Sequence, residues 1–97
     1  MSTTEKVHDT SKEYLYALRF PQEDVMTDKS SKSVRLFCVK RAMRLGNLLK
    51  NKVTIYFKDS QEKLIRIKTT VWGVTQKDVI LKKGSTIPLH RIVSIDD

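Results

Sequence analysis

Residues 53–72 read VTIYFKDSQEKLIRIKTTVW, in which apolar and polar side chains alternate on both sides of a short polar interruption. A period of two residues places alternate side chains on opposite faces of an extended strand. The interruption, from Asp59 to Glu62, is composed of residues that suit a tight turn. The segment therefore predicts an antiparallel hairpin with one buried face. The inward positions are Val53, Ile55, Phe57, Ile65, Ile67 and Val71.

Short runs of the same kind continue toward the C-terminus. Gly73 marks a place where the second strand of the hairpin can bend. Pro88 has no backbone N–H for a ladder, so we expect its strand to be short or at an edge, with His90 and Arg91 forming one helical turn after it. The strand-like runs cover residues 79–82, 86–89 and 92–95.

A helical period precedes the hairpin. Apolar residues recur at steps of three and four from Val34 to Leu49. The β-branched and aromatic run 34–38 suits a strand equally well, so the firmer helix prediction is 39–49, with Gly46 as its weakest position. A short helix followed by four or five strands predicts a mainly β, α+β fold: a small antiparallel barrel of about five strands preceded by that helix.

The N-terminal third is mostly polar. Residues 1–13 contain too few large apolar groups to offset the entropy of ordering the backbone. The apolar cluster 14–20 stops at Pro21 and is compatible with a short helix or a strand docked on the main body. We therefore predict a flexible segment at 1–32 and a single domain, helix plus barrel, at 33–97.

Length and composition limit the class of protein. A chain of 97 residues fits one small domain, which excludes a multidomain enzyme. The single cysteine, Cys38, cannot form an intrachain disulfide, and the first residues lack the apolar run of a signal peptide. No stretch approaches the roughly 18–20 apolar residues that span a bilayer. We therefore expect a cytoplasmic protein without a membrane span.

The order of these signals resembles the Sm-like and SH3-like small barrels. The resemblance covers residues 39–96 and is carried by the helix end at Leu48 and Leu49, by ILKKGSTI at 80–87 and by IVSI at 92–95. It implies that the turn at Lys83-Gly84 matches the basic residue and glycine that lie near bound RNA in Sm-like proteins. The blocks TTVWGVT and LKKGSTIPLHRIVSID also look like an uncharacterised family of short bacterial proteins.

Positive charge is in excess and unevenly spread. The chain has 19 Lys and Arg against 11 Asp and Glu, a net charge of +8, and residues 31–50 contain six basic and no acidic side chains. Such a field attracts polyanions, although the same charge also keeps a small protein soluble.

The outward positions of the two long strands combine cations with aromatic rings. Rings stack on bases while Lys and Arg follow phosphates, which is how single-stranded nucleic acid is bound. The alternative is that Trp72 closes one end of the barrel or lies under the N-terminal segment, with solvated lysines around it. With the cations of the last turn and of the helix, the candidate nucleic-acid-binding residues are Tyr56, Lys58, Arg66, Lys68, Trp72, Lys82, Lys83, Lys40, Arg41 and Arg44.

Catalytic patterns are not found in the sequence. His8 and His90 have no Cys, His or carboxylate at zinc-ligand spacing, and no glycine-rich phosphate loop is present. We expect His90 to be structural, and Arg91 to anchor locally by pairing with Asp96 or a backbone carbonyl. The sequence therefore predicts no catalytic residue, no metal and no cofactor.

Two functions fit these observations. The first is a non-enzymatic, basic β-module that binds RNA or single-stranded DNA through the mixed cationic and aromatic face. The second is a protein-interaction or self-associating module, in which the cluster 14–20 takes part in the contact.

Overall fold

The computed structural model describes residues 7–10, 14–15 and 18–96. Within these residues the fold is α+β and mainly β, as the sequence predicts, with one α-helix and seven strands in two sheets. The strands are β1 (Val7–Asp9), β2 (Val53–Lys58), β3 (Leu64–Thr69), β4 (Val71–Val74), β5 (Asp78–Leu81), β6 (Thr86–Pro88) and β7 (Ile92–Asp96). The helix, α1, is Lys29–Leu49, and short 3-10 turns cover Lys82–Gly84 and Leu89–Arg91.

The first sheet has the strand order β1-β3-β2-β7. Its centre is the predicted hairpin, in which antiparallel β2 and β3 place Ile55 opposite Ile67 and Tyr56 opposite Arg66. β1 runs parallel to β3 on one side, and β7 runs antiparallel to β2 on the other. The six positions that strand parity assigned to the interior are all buried, so that prediction is confirmed.

The second sheet has the order β4-β5-β6. Only Thr70 separates β3 from β4, so the chain passes directly from one sheet into the other. The pairing of β4 with β5 shifts register between Val71 and Gly73, close to the predicted bend. β6 is the edge strand of this sheet and is only three residues long, ending at Pro88. The helical turn that the sequence predicts after it is present. The predicted barrel of about five strands is not found as such, since the described strands form two sheets and no closed barrel.

The helix begins earlier than its apolar period indicates. Residues 34–38, which the sequence left open between strand and helix, are helical. Asp28 caps the N-terminus, because its side chain accepts a hydrogen bond of 2.8 Å from the backbone N–H of Ser31. The helix runs through residues 32 and 33, where the sequence analysis set the boundary between the N-terminal segment and the domain.

The helix packs on β4 and β7, and it approaches β4 most closely at Gly46. A Cβ at this position would clash with the carbonyl oxygen of Val71 and would lie 3.0 Å from a methyl group of Thr70. The weakest helix former of the segment is therefore the residue that allows the helix to dock.

The apolar cluster 14–20 docks on the core through the members that are described. Leu15 is buried, and Leu18 and Phe20 are partly buried against the core. The Phe20 ring packs at a tilt on Phe57, with 5.9 Å between ring centroids. Residues 16 and 17 lie outside the described part of the chain, so the question of helix or strand for the cluster stays open.

Arg91 ties the segment before the helix to the hairpin turn. Its side chain is almost completely buried, and its guanidinium also pairs with the exposed carboxylate of Glu62. Its other hydrogen bonds go to the carbonyl oxygens of Glu23, Lys58 and Asp59, at 2.7, 3.1 and 3.0 Å. The predicted structural role through backbone carbonyls is confirmed, while the ion pair is with Glu62 and not with Asp96.

Gly46→Ala is expected to lower the free energy of unfolding by about 1–3 kcal/mol, since the added methyl group meets a backbone oxygen that side-chain rotation cannot move. Gly73→Ala is the matched control, because its Cβ would lie 3.6 Å from Ile80, an ordinary contact. Urea denaturation followed by circular dichroism measures both variants. Equal stability of Gly46→Ala and the parent would show that the helix does not dock as described.

Arg91→Met is expected to lower the free energy of unfolding by about 3 kcal/mol or more, because it removes the hydrogen bonds that the buried guanidinium donates to three backbone carbonyls and to Glu62. Arg66→Met removes an arginine whose side chain is 40% exposed and pairs with an exposed carboxylate, and it should lower the free energy of unfolding much less than Arg91→Met does. Guanidinium chloride denaturation of the two variants gives the comparison. Similar losses at both positions would contradict the anchoring role of Arg91.

Candidate nucleic-acid interface

The ten candidate residues fall in three places on the fold. The face that strand parity predicted is divided, because Trp72 belongs to the second sheet and not to the sheet of the hairpin. Tyr56, Lys58 and Arg66 lie on the first sheet; Lys40, Arg41 and Arg44 lie on α1; Lys68, Trp72, Lys82 and Lys83 lie near the passage from β3 to β4.

On the first sheet, Arg66 is engaged by an acidic neighbour. Its guanidinium donates two hydrogen bonds to the Asp9 carboxylate, with Nε–Oδ1 at 2.6 Å and Nη2–Oδ2 at 3.0 Å. Asp9 is in place because β1 pairs with β3 in a register that sets it beside Arg66. The hydrogen bond from Arg66 lowers the pKa of Asp9, and the same bond raises the pKa of Arg66. A phosphate would have to displace Asp9, which makes this face a poor anion site.

Four exposed lysines surround Thr70, the residue between the two sheets. A hydrogen bond of 2.9 Å from the Lys82 backbone N–H to the Thr70 carbonyl oxygen brings the turn after β5 to this point. Lys68, on β3, lies two residues before Thr70. It pairs with Thr54 of β2, which lies two residues after Lys52. We call these four lysines the basic edge: Lys52, Lys68, Lys82 and Lys83.

Within the described part of the chain, no ion pair neutralises the charges of the basic edge. Among the described residues, the acidic partners of ion pairs are engaged elsewhere, and none is paired with these four lysines. Two acidic residues lie near by register: Asp96, which faces Thr54 from β7, and Asp9 of β1, which pairs with Arg66, two residues before Lys68. Within the described structure, the basic edge therefore carries a local excess of positive charge.

Trp72 stands next to the basic edge in an irregular part of β4. Val71 pairs with Leu81 and Gly73 with Ile80, so Trp72 is the additional residue of a β-bulge. A bulge turns a side chain away from the regular alternation of a strand. The indole is 49% exposed, which leaves ring surface open to solvent beside the turn that carries Lys82. Cations and an accessible ring therefore occur together here.

Lys52 continues the basic run of the sequence that contains Lys40, Arg41 and Arg44, but it is not one of the ten candidate residues. The signal for it was its place directly before the first strand of the hairpin, but its neighbours could be identified only from the contact between Lys82 and Thr70. Arg41 and Lys58, which were selected, have interactions within the fold and are less suited to a free anion site.

A groove of about 590 Å³ lies between the segment before the helix and the turn before β7. Its buried cation, Arg35, donates to both carboxylate oxygens of Asp24 at 2.9 and 2.8 Å and to the Ile92 carbonyl at 3.2 Å. His90 Nε2 lies 2.7 Å from the carbonyl oxygen of Pro21, in keeping with the structural role expected for it. Because Asp24 already neutralises Arg35, we assign no ligand to this groove.

Searches for related proteins found no match: no protein-family model, no curated protein and no solved structure corresponds to this chain. Within the described residues, no three side chains of His, Cys, Asp or Glu lie close enough together to hold a metal ion. The helix in the described part of the chain is not long and apolar enough to cross a membrane.

The ion pair of the groove predicts a pH dependence of stability. A hydrogen bond from Arg35 is the main cause that lowers the pKa of Asp24 in the folded protein. A carboxyl group whose pKa is lower in the folded than in the unfolded protein stabilises the fold at pH values above its ordinary pKa, about 4. This stabilisation is lost as the pH falls through the pKa of the folded protein. Asp24→Asn should therefore be less stable than the parent at pH 7 and should lose less stability below about pH 4.

Urea denaturation at neutral and acidic pH measures this difference. Asp78→Asn provides the control, because it removes the same charge and no hydrogen bond to the Asp78 carboxylate is found in the described structure. Identical acid profiles for Asp24→Asn and the parent would contradict the linkage.

Proposed function

We propose that this protein is a non-enzymatic module that binds RNA or single-stranded DNA at the basic edge and Trp72. The supporting observation is that four exposed lysines, which form no ion pair with the described residues, lie around Thr70 beside a half-exposed indole. Single strands are held by cations that follow the phosphates and by rings that stack on the bases. The proposal retains Lys68, Trp72, Lys82 and Lys83 from the sequence analysis and adds Lys52.

We further propose that the two sheets are the halves of an SH3-like or Sm-like small barrel. The passage from β3 to β4 through Thr70 supports one strongly bent strand, and the pairing of β7 with β2 brings the last strand of the chain beside the hairpin. Lys83 and Gly84 both have positive φ, 71° and 94°, so the turn presents its lysines on a tight reversal of the chain. On this proposal, that turn corresponds to the RNA-proximal turn of Sm-like proteins, and the module acts in the cytoplasm.

The geometry favours binding that does not read sequence. Lysine contacts to phosphate carry no base information, and a single tryptophan stacks on any base. If all four lysines neutralise phosphates on a single strand, log Kd should change with log salt with a slope of about 3.

Titration of Trp72 fluorescence tests the proposal, since Trp72 is the only tryptophan. Mixed-sequence RNA and DNA of about 12 nucleotides should quench the emission, and the affinity should fall between about 50 and 200 mM salt. Heparin, a polyanion without bases, should not reproduce the quenching. Emission that nucleic acid leaves unchanged at low salt would contradict the proposal.

A charge-matched pair of variants locates the site. Lys82→Glu with Lys83→Glu should weaken binding at least about tenfold and make the salt slope shallower. Lys63→Glu with Lys77→Glu reverses the same number of charges in turns away from Thr70 and should have a smaller effect. Equal losses from the two double variants would indicate a general charge effect and would remove the assignment to the basic edge.

A further inference from the structure

The outer side of α1 exposes large apolar side chains. Val34, Phe37 and Leu48 are 62%, 67% and 74% exposed. Steps of three and eleven residues place them near one line along the helix, on the side away from the buried residues Val39 and Gly46. We call the residues along this line the outer stripe: Val34, Phe37, Cys38, Arg41, Leu45 and Leu48.

A small recess lies at the middle of the outer stripe. It has a volume of about 50 Å³ and is lined by Cys38, Arg41, Ala42 and Ile95. Ile95 belongs to β7, which ends the strand order of the first sheet. The outer stripe thus borders a depression between the helix and a strand, sized for one small apolar side chain, and anchor side chains in such pockets contribute most of the energy of many interfaces.

The charge along the helix limits what can cover this surface. Residues 31–50 contain six basic and no acidic side chains, and exposed Lys40 and Arg44 lie beside the apolar positions. A second copy of the chain would place cations against cations, which disfavours self-association through this face. A partner that complements this surface has apolar side chains along one line and acidic side chains beside them.

We propose that the outer stripe docks an acidic amphipathic helix of another protein. From Val34 to Leu48 the stripe is about 21 Å long, four turns of helix, which matches a helical partner with anchors three and four residues apart. The recess receives one anchor, and partner carboxylates lie against Lys40 and Arg44. This surface is separate from the basic edge and adds a protein-binding function to the proposed nucleic-acid module.

Other polyanionic partners fit less well. In a membrane, burying Phe37 and Leu48 would draw the interleaved Arg41 and Arg44 toward the hydrocarbon. Nucleic acid gains little from aliphatic groups such as Val34 and Leu48, since bases stack on rings and phosphates contact cations. An acidic helix can meet both the apolar and the cationic members of the stripe.

The test uses a synthetic peptide of about 18 residues, roughly 27 Å as a helix, with Leu at three- and four-residue steps and Glu elsewhere. Fluorescence anisotropy of the labelled peptide gives its Kd for the full-length protein. A scrambled peptide of equal charge lacks the apolar line and should bind at least about tenfold more weakly. Equal binding of the two peptides would overturn the proposal.

Variants separate the outer stripe from other apolar surface. Phe37→Gln and Leu48→Gln should each weaken peptide binding several-fold and leave the nucleic-acid titration unchanged. Tyr14→Gln is the matched control, since Tyr14 is 64% exposed but lies outside the helix, and it should bind the peptide like the parent. If Phe37→Gln bound the peptide as well as the parent, the stripe would not be the docking surface.

Vesicles of anionic phospholipid provide the competing probe. When neutral or anionic vesicles are sedimented at physiological salt, the protein should remain in the supernatant in both cases. Sedimentation with anionic vesicles that Phe37→Gln abolishes would assign the stripe to a lipid surface and overturn the proposal.

Discussion

The close approach of α1 to β4 at Gly46 is the contact on which the arrangement of the two sheets depends. The helix packs on β4 of the second sheet and on β7 of the first, so one rigid element spans both. Without a side chain at position 46, the helix backbone comes against the Val71 carbonyl, and Thr70 is held beneath it. A larger residue would separate the helix from β4 and weaken the link between the sheets.

The same contact determines where the positive charge gathers. Thr70 lies beneath Gly46 on one side and accepts a hydrogen bond from the Lys82 backbone on the other. The start of β2, the end of β3 and the turn after β5 therefore meet at one place, and together they bring the four lysines of the basic edge. Elsewhere, two cations that lie deeper in the fold, Arg35 and Arg91, hold the segment before the helix through Asp24, Glu62 and backbone carbonyls.

The two proposed surfaces differ in the side chains that accompany their positive charges. At the basic edge, lysines accompany an indole and suit a polyanion with stacked bases. Along the outer stripe, arginines accompany aliphatic and phenyl groups and suit an acidic, amphipathic polypeptide. A module with both surfaces can bring a protein and a nucleic acid together, and variants of either surface should leave the other intact because the residues do not overlap.

The sequence by itself determined the local elements. Alternation predicted β2 and β3, and the residues it assigned to the interior are buried. Pro88 predicted a short strand, which is the last strand of the second sheet. Both predictions were possible because strand parity and a missing N–H depend only on residues that are neighbours in the sequence. The long-range arrangement was decided only by tertiary structure. The alternation could not show that Trp72 lies at a bulge in the second sheet, that Asp9 pairs with Arg66, or that Lys82 lies beside Thr70. The physical reason is that each of these depends on pairing and docking between segments distant in the chain, whereas a local pattern reports only which face a side chain takes.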